Sequence, residues 1–169
     1  MRIRITAALL LFNAFVTGQD ILPTQEFMTD HVMIYDVLQP GGEPRDVFAA
    51  DGSFKLEIRD STLLSETEAC ELFARLEMPS SFGRAPAACH EPHFACRVYE
   101  NNAVAFQFEV CLLCNRLQSS VLLPAQRQYP HGEGDRRYYA GQGVSNNFIN
   151  YLQELKRAKG FKVYFELRE

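Results

Sequence analysis

The sequence predicts an α+β domain in which an antiparallel β-sheet packs against two helices. Apolar residues alternate with a period of two from Phe94 onward, which is typical of strands, and two other segments carry apolar residues at helical spacing. The chain of 169 residues is 47% hydrophobic and 22% charged, as expected for one globular domain rather than a disordered segment. We therefore expect a single domain over residues 19–169.

The first 18 residues predict a signal peptide. Arg2 and Arg4 precede an apolar run from Ile5 to Val16, and Thr17-Gly18 supplies small residues where a signal peptidase would cleave. The run is about a dozen residues long, whereas a spanning helix needs about 20. We expect a secreted or periplasmic protein without a transmembrane segment in the mature chain. The net charge of −4 and the scattered Lys and Arg residues make nucleic acid an unexpected partner.

The N-terminal part of the domain predicts strands. His31 to Leu38 (HVMIYDVL) is rich in residues that favour strands and stops at a Gln-Pro-Gly-Gly turn. Residues 46–50 and 53–58 flank Asp51-Gly52, a dipeptide favoured in tight hairpins because both positions accept a positive φ. A strand followed by a hairpin is expected.

Two helices are predicted from capping residues and apolar spacing. Ser65 and Glu68 form a capping box that predicts a helix from Glu66 to Glu77. Ser145 can cap a second helix that ends before Gly160. The apolar stripe of this second helix consists of Phe148, Tyr151, Leu152 and Leu155.

Residues 94–123 predict a three-stranded meander with its first turn at Glu100-Asn101-Asn102. The second strand carries an apolar stripe that should face inward and pack on the second helix; it consists of Val104, Phe106, Phe108 and Val110. The third strand is expected from Leu117 to Leu123, and a closing strand from Phe161 to Leu167.

Two segments are expected to be loops. Residues 79–93 are dense in Pro, Gly and Ser, and residues 124–143 have no apolar period. The second segment contains His131, Arg136 and Arg137, which form a possible site for an anionic ligand. A solvated loop is the alternative interpretation of these three residues.

The five cysteines fall into two groups by position. Cys70 and Cys96 lie beside apolar residues and are interpreted as small buried hydrophobes. Cys111 instead falls in register with Glu109, on the strand face opposite the apolar stripe, so another role is expected for it. Cys114 can share a site with Cys111 only if the chain turns there, and Asn115 tolerates the left-handed conformation that such a turn needs.

A Cys/His cluster follows from this arrangement. Cys89 and His93 lie just before the first meander strand, one hairpin away from Cys111 and Cys114. Three sulfurs and one nitrogen are a common tetrahedral zinc set, so these four residues are candidate metal ligands. His90 is the competing fourth ligand, and a solvated loop residue is the alternative interpretation of either histidine.

The stretch from Cys89 to residue 116 resembles a group of uncharacterised secreted bacterial proteins. Their common pattern is Cys-x-x-Pro-(His or Arg), an aromatic strand, and a strand closing in Cys-x-x-Cys-Asn, which this chain matches at Cys89, Pro92-His93 and Cys111 to Asn115. A second histidine often follows the Pro-His of that pattern, and Phe94 stands there in this chain. The resemblance implies site residues and not an activity.

Two functional hypotheses remain open from the sequence. In the first, the cluster is a structural site, held by a metal such as zinc or by disulfides, in a protein that is not an enzyme. In the second, Cys111 and Cys114 cycle between dithiol and disulfide. An active redox C-x-x-C normally opens a helix, whereas Asn115 leads into strand-like sequence. No Gly-x-Ser-x-Gly elbow supports a hydrolase.

Overall fold

A seven-stranded antiparallel sheet with two helices forms the domain, so the predicted α+β class is confirmed. A computed structural model describes residues 3–5, 27–38, 46–49, 53–87, 89, 91–132 and 138–163. The strands are β1 (Ile3–Ile5), β2 (Phe27–Thr29), β3 (His31–Leu38), β4 (Glu57–Leu63), β5 (Phe82–Arg84), β6 (Phe94–Glu100), β7 (Ala103–Cys111), β8 (Arg116–Ser119), β9 (Gln128–His131), β10 (Tyr138–Gly141) and β11 (Gly143–Val144), and the helices are α1 (Glu66–Glu77) and α2 (Asn146–Ala158). The strand order in the large sheet is β4-β3-β6-β7-β8-β10-β9.

Strands β6, β7 and β8 form the predicted meander. Asn101 and Asn102 connect β6 to β7 with φ values of 51° and 61°, which Asn accepts more readily than most residues. The third strand is shorter than predicted, since β8 ends at Ser119 and not at Leu123.

Both helices begin as their caps predict. The Ser65 Oγ accepts a hydrogen bond from the Glu68 N–H (3.3 Å), and the Glu68 carboxylate accepts one from the Ser65 N–H (2.8 Å). At α2 the Ser145 Oγ accepts a hydrogen bond from the Phe148 N–H (3.3 Å).

The main core lies between one face of the sheet and the two helices. Phe106, Phe108 and Val110 of β7 are buried there together with the four apolar residues of the α2 stripe. Val104 is the exception, because it is 43% exposed. The register of β6 and β7 shifts between Val98 and Tyr99, and this irregularity breaks the alternation before Val104 is reached.

The opposite face of the sheet is also covered. Residues 46–49 and 53–58 supply Val47, Phe48 and Leu56 to a second apolar cluster beneath β3 and β6. The guanidinium of Arg97 lies 4.3 Å from the ring centroid of Phe48 and 4.4 Å from that of Phe54.

The expected loop over residues 124–143 was wrong, because it contains β9, β10 and the start of β11. Glutamine side chains stabilise this region instead of an apolar stripe. The Gln128 Nε2 donates to the Tyr139 carbonyl (3.2 Å) and to the Ser119 Oγ (2.9 Å), and the Gln126 Nε2 donates to the Gln142 carbonyl (2.8 Å). Because these buried side chains are polar and bond to backbone carbonyls, the segment has no apolar periodicity from which its strands could be predicted.

The other expected loop, residues 79–93, contains the short strand β5, which pairs with β11. The predicted hairpin is present as a bridge between Phe48 and Phe54, with Asp51-Gly52 outside the described residues and the following strand beginning only at Glu57.

At the C-terminus residues 161–163 are irregular, and the rest of the predicted closing strand lies outside the described residues. Most of the predicted signal peptide also lies outside them, although β1 within it pairs with β2. Within the described ranges no helix is long and apolar enough to cross a membrane.

Candidate cysteine centre

The turn between β7 and β8 brings Cys111 and Cys114 together. Cys111 is the last residue of β7 and pairs with Arg116, the first residue of β8. Asn115 closes the turn with a φ of 54°, so the predicted left-handed conformation is confirmed. The Cys114 N–H donates a hydrogen bond to the Cys111 Sγ (3.2 Å), as in a turn that presents two sulfurs to one site.

Two backbone hydrogen bonds place Cys89 beside this turn. The Ala87 N–H donates to the Cys114 carbonyl (2.9 Å), and the His93 N–H donates to the Val110 carbonyl (2.9 Å). Cys89 therefore lies in a segment held at both ends against the end of β7 and the turn after it. It forms a disulfide with Cys114, with a Cα–Cα distance of 6.0 Å.

Cys111 is the third member of this group, which we call the cysteine centre: Cys89, Cys111 and Cys114. The three Sγ atoms all lie within 4.8 Å of one another. Cys89 is exposed, whereas Cys111 and Cys114 are buried. The centre thus has one sulfur at the surface and two below it.

The Cys111 thiol is held largely in its neutral form. Burial raises the pKa of Cys111, because a thiolate is poorly solvated inside the protein. Hydrogen bonds from the backbone of Glu91, Cys114 and Leu113 oppose this effect. These backbone donors face the position where a thiolate or a metal-bound sulfur would carry negative charge.

His93 was predicted as the fourth ligand, and among the described residues it lies outside the group of three sulfurs. Its ring is buried, and burial together with the positive charge of Lys156 lowers the pKa of His93 to about 4. The imidazole is therefore neutral at physiological pH. His90 lies outside the described residues.

The two other cysteines lie outside this group of three. Cys96 is fully buried in the main core, as predicted, and Cys70 is half-buried on α1. His131 is the exposed last residue of β9 and pairs with Tyr138, and Arg136 and Arg137 lie outside the described residues.

A buried ion pair that also binds the carbonyl of His93 was not predicted from the sequence. The Lys156 Nζ donates to the Asp36 carboxylate (2.7 Å) and to the carbonyl of His93 (2.8 Å). Arg59 adds a second contact to Asp36 at 3.2 Å. The sequence carried two signals for this pair: Asp36 interrupts an otherwise apolar strand, and Lys156 follows Leu155 at the edge of the α2 stripe.

The chemistry available to the centre follows from its sulfurs. With the disulfide formed it is a covalent link between two segments, and with all three thiols reduced it offers three donors to a soft metal ion. No protein-family model, curated protein or solved structure matches this chain, so its function is inferred from this site.

Proposed function

We propose that this chain is a secreted or periplasmic protein in which the cysteine centre is a structural cross-link. The observation that carries the proposal is the Cys89–Cys114 disulfide, which joins the segment before β6 to the turn after β7. Disulfides persist mainly in oxidising compartments, which agrees with the signal peptide expected over residues 1–18. The resemblance to secreted bacterial proteins supports the same location.

The cross-link has a clear stabilising role. Cys89 and Cys114 are 25 residues apart, and they enclose the whole β6–β7 hairpin. Closing a loop of this length in the unfolded chain corresponds to roughly 3 to 4 kcal/mol in the chain-entropy model.

Metal binding by the reduced chain is the second candidate. Three Sγ atoms within 4.8 Å of one another suit a thiophilic ion such as zinc, with a histidine or water as the fourth ligand. The two states exclude each other, because the sulfurs of a disulfide do not act as thiolate ligands. The redox alternative, which uses Cys111 and Cys114 as the pair, requires the disulfide to move away from Cys89.

The test compares the exported protein before and after reduction. We expect an N-terminus near Gln19, one disulfide that joins Cys89 to Cys114 in a non-reducing peptide map, and no bound metal. Cys89→Ala should lower the melting temperature of the oxidised protein, whereas the matched variant Cys111→Ala should keep the disulfide. Five reduced thiols with about one zinc per chain and chelator-sensitive melting would instead establish the metal site.

A further inference from the structure

We infer that the Cys111 thiol attacks the Cys89–Cys114 disulfide and converts it into a Cys111–Cys114 disulfide. This exchange leaves Cys89 as a reactive thiol at the protein surface. The inference rests on the proposed function, because it begins from the Cys89–Cys114 disulfide. It assigns an activity to Cys111 that a purely structural cross-link does not need.

Proximity is the first argument. Thiol–disulfide exchange needs a thiol next to a disulfide sulfur, and the Cys111 Sγ lies within 4.8 Å of both Cys89 and Cys114 sulfurs. The turn from Cys111 to Asn115 holds the attacking and attacked residues three positions apart. Exchange within this group is intramolecular and needs no encounter with another molecule.

The step balances without an oxidant or a reductant. Cys111 loses its proton, and the thiolate attacks the Cys114 Sγ. A Cys111–Cys114 bond forms while the Cys89–Cys114 bond breaks, and the electron pair of the broken bond leaves on the Cys89 sulfur, which takes up a proton. One thiol and one disulfide are present before and after the step.

Burial decides which sulfur leaves. If Cys111 attacked Cys89 instead, the leaving thiolate would be on Cys114, which is 1% exposed. Attack on Cys114 places the leaving charge on Cys89, where water solvates it. The same burial makes the step slow at neutral pH, because the raised pKa of Cys111 keeps the thiolate population small.

The consequence is a free Cys89 thiol at the surface, and its formation depends on the buried Cys111 thiol. Once formed, the Cys89 thiolate can attack a disulfide of an external molecule, forming a mixed disulfide and releasing one thiol of that molecule. The external molecule that reacts with Cys89 is therefore a disulfide in the same compartment, either of low molecular weight or within another protein.

The experiment traps the migrated state with N-ethylmaleimide in the native, oxidised protein. We expect alkylation on Cys89 together with a Cys111–Cys114 disulfide in the peptide map, at a rate that stops rising with reagent concentration once migration limits it. Cys111→Ala should abolish alkylation of Cys89. Cys96, which is fully buried in the core, reports unfolding in the same sample.

Four results would overturn the inference: alkylation of Cys111 with the original disulfide intact, alkylation of Cys114, no alkylation at any of the three positions, or alkylation of Cys89 no faster than that of Cys96. A second variant is independent of rate. Cys89→Ser should form the Cys111–Cys114 disulfide on oxidation, and two persistent thiols in a folded Cys89→Ser protein would refute the migration. If the starting protein lacks the Cys89–Cys114 disulfide, the proposed function itself has failed, and the peptide map before alkylation shows this separately.

Discussion

Replacing Lys156 by Met should destabilise the protein far more than a typical surface lysine change. Lys156 and Asp36 are each 1% exposed, and the Lys156 Nζ contacts both the Asp36 carboxylate and the His93 carbonyl. Removing one partner of a buried pair typically costs about 3 to 5 kcal/mol, because the other charge remains buried. Arg59 still contacts Asp36 at 3.2 Å, so we expect the lower end of this range.

Urea unfolding followed by circular dichroism measures the effect. A loss of about 3 kcal/mol lowers the midpoint by roughly 1.5 M urea if the m-value is near 2 kcal/mol/M. The matched control is Lys159→Met, which removes a partly exposed pair with Glu68 and should cost less than about 1 kcal/mol.

A double variant tests the pairing itself. Asp36→Leu combined with Lys156→Met removes both charges, so its loss should be smaller than that of Lys156→Met alone. A Lys156→Met loss equal to that of the Lys159→Met control would refute the reasoning, as would strictly additive losses in the double variant.

Three further predictions follow from burial, titration and close approach. Phe106→Ala should cost about 3 to 5 kcal/mol, whereas Val104→Ala, at an exposed position, should cost less than about 1; similar losses would contradict the observed register. Because the pKa of His93 falls from 6.5 to about 4 on folding, the unfolded chain binds the proton more tightly, and stability should drop by up to roughly 3 kcal/mol between pH 6.5 and 4. His93→Gln should remove this pH dependence in urea titrations, and an unchanged slope would argue against a buried neutral imidazole. Gly143→Ala should lower the melting temperature, because an added Cβ would lie 2.7 Å from the Asn115 carbonyl oxygen. An unchanged melting temperature would show that the backbone at Asn115 moves to accommodate the Cβ.

The regular part of the fold could be predicted because its signals are local. The α1 capping box, the α2 stripe and the alternation in β6 and β7 each occupy a few consecutive residues. The strands β9 and β10 gave no such signal, since Gln126 and Gln128 stabilise them through side-chain bonds to carbonyls distant in sequence. The exposure of Val104 depends on a register irregularity that only the pairing of two strands reveals.

The candidate site was partly predictable for the same reason. Cys111, Cys114 and Asn115 form one local turn, and its geometry follows from residue type. Whether Cys89 or Cys111 pairs with Cys114 depends on where the chain before β6 runs, and the hydrogen bond from the Ala87 N–H to the Cys114 carbonyl places Ala87 against the turn. His93 has ligand-like spacing, but its backbone enters the sheet beside Val110, and its carbonyl is held by Lys156 from α2.

The two outer strands of the described sheet, β4 and β9, bear on whether folding chains associate through their strand edges. An unpaired strand edge can recruit the edge of another molecule and start aggregation. At one edge, β9 contains Pro130, which has no N–H to offer to an incoming strand. At the other edge, β4 presents Glu57, Arg59 and Asp60 to solvent, and its pairing with β3 is irregular between Asp36 and Val37. A chain that has formed this sheet therefore offers neighbouring chains two poor templates at the edges of its described strands, whether or not the Cys89–Cys114 disulfide has formed.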